Sequence, residues 1–273
     1  MHINRIDSSS LYHEYVHGKQ SVEQLSERYH ISPSTVRRRL SSIHSVRMIS
    51  SYKQVVVLMD TTYWGRNFGV VVFKDNRTKR ILWRKYVKYE TLADYQEGVQ
   101  WLEAHNFIIE GIVCDGLRGI FQMLKPYKVQ MCQYHQISIV RRYLTNKPEL
   151  DASKELLTLT KQMTCLKKTE FITLLEAWTQ EWADFLKERR KDRKTGKTYY
   201  VHKRLRSAYL SLKRNMPYLW TWSDDRTIGI PNTNNALEGM FTNLKTKLRN
   251  HNGLSKENRK KFIDEYFRAT FDS

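Results

Sequence analysis

Apolar positions along this chain change their period from one region to the next. Val55, Val56, Val57, Leu58 and Met59 form a short, mostly β-branched run, which predicts a strand over residues 54–60 that is buried on both faces. Residues 68–73 and 81–87 repeat the strand pattern, and the turn residues 74–77 between them predict a hairpin. Leu92, Tyr95, Val99 and Leu102 recur at helical spacing within residues 91–105. A fourth strand is predicted over 107–114, interrupted at Glu110 and Gly111, then a helix over 117–124 and a fifth strand over 129–134. Three strands, helix, strand, helix, strand is an α/β order, a meander followed by parallel crossovers.

Helical patterns lie on both sides of this region. Ser21 and Gln24 have capping-box spacing, followed by Val22, Leu25 and Tyr29 on one face. Ser32 and Pro33 supply a cap and a first position for a second helix, in which Val36, Leu40 and Ile43 face inward. Beyond the fifth strand, helices are predicted over 139–144, 153–163, 169–186 and 203–216. A last long helix starts at 231–234, where an asparagine or threonine can cap it, and continues through Phe241, Leu244 and Leu248 towards a stop at Gly253. Lys245, Lys247 and Arg249 make its other face basic. The expected organisation is a small all-α domain at 1–50, with 41–53 as linker, an α/β core beginning at 51–136, a helical insertion at 137–230, and a last core helix with a C-terminal tail at 231–273.

Composition and charge narrow the partners. With 273 residues, 40% of them hydrophobic, the chain is long enough for a substantial core. Its net charge of +19 is an electrostatic footprint that favours a polyanion, nucleic acid above all. No apolar run is long enough to span a bilayer and no signal-peptide pattern opens the chain, so neither membrane nor export is expected. Three cysteines, an odd and sparse set, fit a reducing cytoplasm. The helix from Pro33 presents Ser34, Thr35, Arg37, Arg38 and Arg39, as a helix-turn-helix reader of double-stranded DNA does; a plain basic helical bundle is the alternative. Residues 187–206 carry ten Lys/Arg against two acids, which reads equally as a solvated segment or as a DNA track. Trp178, Trp182, Trp220 and Trp222 read as core anchors.

Three acids stand in apolar or small-residue settings: Asp60 at the end of the first strand, Asp115 before Gly116, and Glu238 one turn into the last helix. Carboxylates gathered at C-terminal strand ends can hold the divalent cations, Mg²⁺ or Mn²⁺, that phosphoryl transfer on a nucleic-acid backbone uses. Gly116 and Gly119 then read as room for a substrate backbone. Each acid also has an ordinary reading, as a turn former or a helix-start charge.

Taken in order, Met59-Asp60-Thr61-Thr62, Cys114-Asp115-Gly116, Cys132-Gln133-Tyr134-His135 and Asn234-Asn235-Ala236-Leu237-Glu238-Gly239 resemble the motifs of the Mutator-like DDE transposases of bacterial insertion sequences. That resemblance spans residue 54 to the C-terminus. It implies a ribonuclease H-like core with an all-α insertion before the third acid. The implied activity is metal-dependent DNA cleavage at terminal inverted repeats and transfer of a freed 3′-hydroxyl to target DNA. Asp60, Asp115 and Glu238 would be catalytic and metal-binding. Cys132 and His135 read as a structural or substrate-positioning pair, because no second close ligand pair completes a zinc site. Arg66, Arg118, Arg141 and Arg142 are candidate phosphate contacts. Two element ends handled together imply a homodimer or higher oligomer on DNA at the bacterial nucleoid. The chain is short for the group, and a helix-turn-helix protein with an inactive or truncated transposase core is the competing reading.

Overall fold

The computed structural model describes residues 7–43, 51–251 and 253–268; most of the expected linker, at 44–50, and the last five residues lie outside them. Three short helices come first: α1 (Ser8–Val16), α2 (Val22–Tyr29) and α3 (Pro33–Ser42). The capping box of α2 forms as its spacing predicts, with the Gln24 N–H donating to Ser21 Oγ at 3.2 Å and the Ser21 N–H to Gln24 Oε1 at 2.8 Å. His30 ends α2 in the left-handed conformation, and Ser32 caps α3 through the Thr35 N–H. Leu11, Val16, Leu25 and Val36 bury the inner faces completely.

The strands are β1 (Gln54–Tyr63), β2 (Gly69–Asp75) and β3 (Ile81–Val87), then α4 (Leu92–Ala104), β4 (Ile108–Cys114), α5 (Ile120–Met123) and β5 (Val129–Met131). They form one sheet in the order β3-β2-β1-β4-β5. β1 is central, antiparallel to β2 and parallel to β4, which is why its apolar run is continuous. This strand order and mixture of directions is the ribonuclease H-like arrangement expected from the sequence. The interruption at Glu110 is a bulge, since Val55 pairs with Ile109 but Val56 with Gly111. Val56 donates its N–H to Asp75 Oδ1 at 3.1 Å, and the buried Asp75 also takes the Thr78 N–H and hydroxyl. A carboxylate inside the sheet is thus matched to donors that the bulge and the β2–β3 turn leave over.

Side-chain alternation divides the two faces. Val55, Val57 and Met59 pack with Tyr95, Val99 and Leu102 of α4 and Ile120 of α5. Val56 and Leu58 pack on the opposite face, against residues of the last two helices.

After β5 come α6 (Gln133–Leu144), α7 (Asp151–Lys161), α8 (Lys168–Glu181) and α9 (Ala183–Lys187), the strands β6 (Arg189–Lys191) and β7 (Thr198–Tyr200), then α10 (Lys203–Asn215) and α11 (Thr221–Asp224). The fifth strand is shorter than expected, and Cys132 caps α6 instead of ending β5. The predicted helix over 117–124 shrinks to the four residues of α5, and that over 169–186 breaks at Trp182. The basic run at 187–206 contains an antiparallel hairpin followed by the start of α10. Trp178 and Trp220 are buried and donate to Ala152 O and Leu166 O, while Trp182 and Trp222 pack more peripherally. Three buried glutamines fasten this insertion to the core. Gln130 and Gln133 both donate to Leu219 O, and Gln136 bonds Ser211 and Asn215 of α10.

The chain returns through α12 (Asn235–Arg249) and closes with α13 (Lys256–Arg268). The expected C-terminal tail is therefore in large part a helix. α13 lies between β3, which it meets through Arg84–Asp264 at 2.6 Å, and the N-terminal helices. Tyr12 and Tyr15 share a hydrophobic cluster with Leu248, Phe262 and Phe267, and Lys261 Nζ donates to Ser41 O at 2.7 Å. The N-terminal unit thus shares its core with the last two helices. No described helix is long and apolar enough to cross a membrane.

Replacing Asp75 by alanine strands the buried Val56 N–H at the bulge. The expected loss is about 1–3 kcal/mol, seen as a lower urea midpoint with an unchanged denaturant slope, whereas Asp75→Asn, which keeps an acceptor oxygen, loses less.

Candidate active site

Register places the first two acids. Leu58 on β1 pairs with Val113 on β4, and that is the last pair between them. Continuing two residues along both parallel strands brings Asp60 level with Asp115, just where β4 stops and β1 runs on paired only with β2. Alternation sends both acids to the face occupied by α12, since Asp60 follows Val56 and Leu58, and Asp115 follows Val113, all three of which lie in the cluster on that face. Asp60 Oδ1 accepts the Thr61 N–H at 2.8 Å and Asp115 Oδ1 the Leu117 N–H at 3.0 Å, so each carboxyl group is held close to its own backbone.

Glu238 reaches the same place from α12. Leu237, Met240, Phe241 and Leu244 bury one side of that helix on the sheet, and Glu238 stands in the first turn, half-exposed. The helix start is fixed by Asn234. The sequence predicts a capping residue here, yet the Asn234 side chain makes no cap bond. Its Nδ2 instead donates to Met59 O at 3.0 Å, the carbonyl immediately before Asp60, and its backbone N–H donates to Cys132 Sγ at 3.3 Å. Asn232 adds a second tie, accepting the Gln133 N–H and donating to Gln133 Oε1, both at 3.0 Å. The sequence does not mark Asn234 for the site. The asparagine pair before an apolar stripe was its only sequence signal, and a pair of that kind is read first as a cap.

The charges of the other two acids are felt at Asp60. Burial raises the Asp60 carboxyl to about 7; His135 and the Thr61 N–H pull it down, and the charges of Asp115 and Glu238 push it further up. His135, in the first turn of α6, lies with Nδ1 3.8 Å from Glu238 Oε1. Burial lowers its pKa, but Cys132, Asp60 and Glu238 outweigh that and raise it to about 9. Cys132, His135 and Glu238 each bring a ligating atom within 4.8 Å of the other two. Cys114, behind Asp115, has its thiol raised well above the ordinary range by complete burial, which makes it inert. Gly116 and Gly119, read from the sequence as room for substrate, serve packing within the chain. A Cβ at Gly116 would stand 2.8 Å from Met131 Cε, and one at Gly119 2.7 Å from Leu92 Cδ1.

The arginines Arg66, Arg118, Arg141 and Arg142 are all exposed. On α3, Ser34, Arg37 and Arg38 are exposed, while Thr35 and Arg39 are half-buried. Ser34 and Thr35 hydroxyls gather around the Ser32 cap at 2.9 Å each, and Arg37 pairs with Glu23 at 3.3 Å. The hairpin β6–β7 is a second cationic feature. Arg189 and Arg206 both lie over the Tyr200 ring, at 4.5 and 4.1 Å, and Lys203 lies over Tyr199 at 4.7 Å. Both acids of the run are engaged, Glu188 with His202 at 2.9 Å and Asp192 with the turn N–H groups of Lys194 and Thr195.

No protein-family model matches the chain, and no curated protein matches it either. Solved structures do. One is the Drosophila P element transposase strand transfer complex, 11% identical, with a TM-score of 0.48 over 97% of this chain and 92% of that one. Another is the simian T-cell lymphotropic virus intasome in complex with PP2A regulatory subunit B56 gamma, 11% identical, with a TM-score of 0.26 over 58% of this chain and 68% of that one.

Proposed function

We propose that this protein is a DNA transposase of the DDE type, in keeping with the resemblance of its motifs to the Mutator-like insertion-sequence enzymes. It cuts DNA at terminal inverted repeats and joins the freed 3′-hydroxyl to target DNA, within the bacterial cytoplasm. What supports this reading is that Asp60, Asp115 and Glu238, from β1, the end of β4 and α12, are placed on one face at the C-terminal edge of a ribonuclease H-like sheet, with the charges of the other two felt at Asp60.

The donor set fits a hard divalent cation, Mg²⁺ or Mn²⁺. Burial and the charges of Asp115 and Glu238 both disfavour ionisation of Asp60, and oxygen donors of this kind are what such cations bind. A cation held by Asp60, Asp115 and Glu238 would supply activation of the attacking oxygen and stabilisation of the leaving one. The chain's own contribution is placement. Asp60 and Asp115 are set by strand register, and Glu238 by the tie of Asn234 to Met59 O. His135 supplies a positive charge among the acids.

Outside this site, DNA is bound by two cationic surfaces. α3 acts as the reading helix of a helix-turn-helix unit, with Ser34 and Thr35 facing bases and Arg37, Arg38 and Arg39 facing phosphates or guanine edges. The β6–β7 hairpin follows the phosphate backbone. Its cations are spread over tyrosine faces instead of being neutralised by the two acids of their own segment, which leaves them available to a polyanion. Two such molecules acting on paired element ends make a homodimer the smallest working unit.

With Mg²⁺ or Mn²⁺ and DNA carrying the flanking repeats, Asp60→Asn, Asp115→Asn and Glu238→Gln should each lower strand cleavage at least about 10²-fold, with unchanged circular dichroism. Chelation should abolish cleavage, and added Mn²⁺ should restore it; cleavage by Asp60→Asn at the wild-type rate removes the assignment. For DNA affinity, Arg38→Ala and Arg190→Ala in the full chain should each reduce the slope of log K against log salt by about 1. A slope that neither substitution changes removes both DNA surfaces.

A further inference from the structure

Cys132 and His135 lie three residues apart, at the cap and in the first turn of α6, and their side chains share a face. Read alone they are two ligands, too few for a metal. The fold adds a third from residue 238. One ligating atom from each of Cys132, His135 and Glu238 lies within 4.8 Å of the other two, and His135 Nδ1 is 3.8 Å from Glu238 Oε1. Tetrahedral zinc, with bonds of about 2.0–2.3 Å, places its ligating atoms about 3.3–3.6 Å apart, so a few tenths of an ångström separate the nitrogen–oxygen pair from that spacing. His135 Nδ1 is buried and has no hydrogen-bond partner, as a ring nitrogen awaiting a ligand would be. The Asn234 N–H donates to Cys132 Sγ, the kind of outer contact that steadies a metal-bound thiolate.

We propose that Cys132, His135 and Glu238 form a second cation site, selective for a soft or borderline transition metal such as Zn²⁺, and that its occupation withdraws Glu238 from the three-carboxylate set. The second half rests on the reading of Glu238 given under Proposed function; the first half does not. Selectivity follows from the donors. A thiolate and an imidazole suit Zn²⁺ and Co²⁺ and are poor partners for Mg²⁺, which demands oxygen. Binding takes Cys132 as thiolate and His135 as neutral imidazole, the proton of each going to solvent, with a water in the fourth position. The two sites then share one carboxylate, so the soft metal opposes the hard one.

The test uses the full chain, stripped of metal and titrated with Co²⁺. The expected result is one equivalent bound with a thiolate-to-cobalt charge-transfer band, displaced by Zn²⁺. Cys132→Ser should remove the band, His135→Ala should weaken binding at least about tenfold, and Cys165→Ser should leave both unchanged. No band in the wild type, or a band that survives Cys132→Ser, overturns the site. Mn²⁺ binding followed by the free-ion resonance signal tests the sharing. One equivalent of Zn²⁺ should lower Mn²⁺ affinity at least about tenfold, and an unchanged affinity overturns it. If Mn²⁺ fails to bind even without Zn²⁺ while the cobalt band appears, the soft site stands, and the three-carboxylate reading and the sharing built on it fall.

Discussion

One buried asparagine holds the candidate site together. Asn234 donates through its side chain to the carbonyl before Asp60 and through its backbone to Cys132 Sγ, joining β1, α6 and α12 at one point. Strand register alone sets Asp60 beside Asp115, but nothing in the sheet determines where Glu238 stands. That depends on the start of α12, more than a hundred residues after Asp115. A polar group taken out of water must be partnered, and Asn234 meets that demand only with its two donors on these two acceptors. Its Oδ1 is buried with no hydrogen-bond partner in the protein.

A second set of buried polar groups does similar work on the other side of α6. Gln130, Gln133 and Gln136 face the insertion and reach Leu219 O, Ser211 and Asn215. The helical insertion is thereby fixed to the strand and helix that carry Cys132 and His135. Its own core, built around Phe171, Trp178, Leu212 and Trp220, is a separate cluster from those on the two sheet faces. Specific polar ties between clusters of this kind determine relative placement, which apolar packing leaves less sharply defined. The hairpin of the insertion can then present its cations to a polyanion at a fixed position relative to the acids.

The N-terminal helices are coupled to the same frame. α13 packs against β3 through Arg84 and Asp264 and against α1 through Tyr15 and Phe262, and Lys247 of α12 donates to His17 O at 2.8 Å. The helix that carries Glu238 is therefore also the helix on which the proposed DNA-reading unit rests. Contacts run from α3 to α13 and from α13 to α12, the helix of the third acid.

The sequence by itself determined the periodic features. The buried central strand, the hairpin after it, the α/β order, the capping box of α2 and the cap of α3 follow from local pattern, because each depends on residues a few positions apart. It also marked Asp60, Asp115 and Glu238 as acids in unusual surroundings. Tertiary structure decided the rest. The basic run at 187–206 contains a short hairpin whose tyrosine faces carry Arg189 and, from α10, Lys203 and Arg206, which no periodicity signals. Gly116 and Gly119 yield their space to Met131 and Leu92, contacts between elements that the sequence does not pair. Asn234 looks like a helix cap until β1 is placed beside it. Cys132 and His135 look two ligands short of a metal site until Glu238 arrives from α12. Local pattern records the period of a segment and the chemistry of its residues, whereas the partner of a buried polar group is chosen by chain that is distant in sequence.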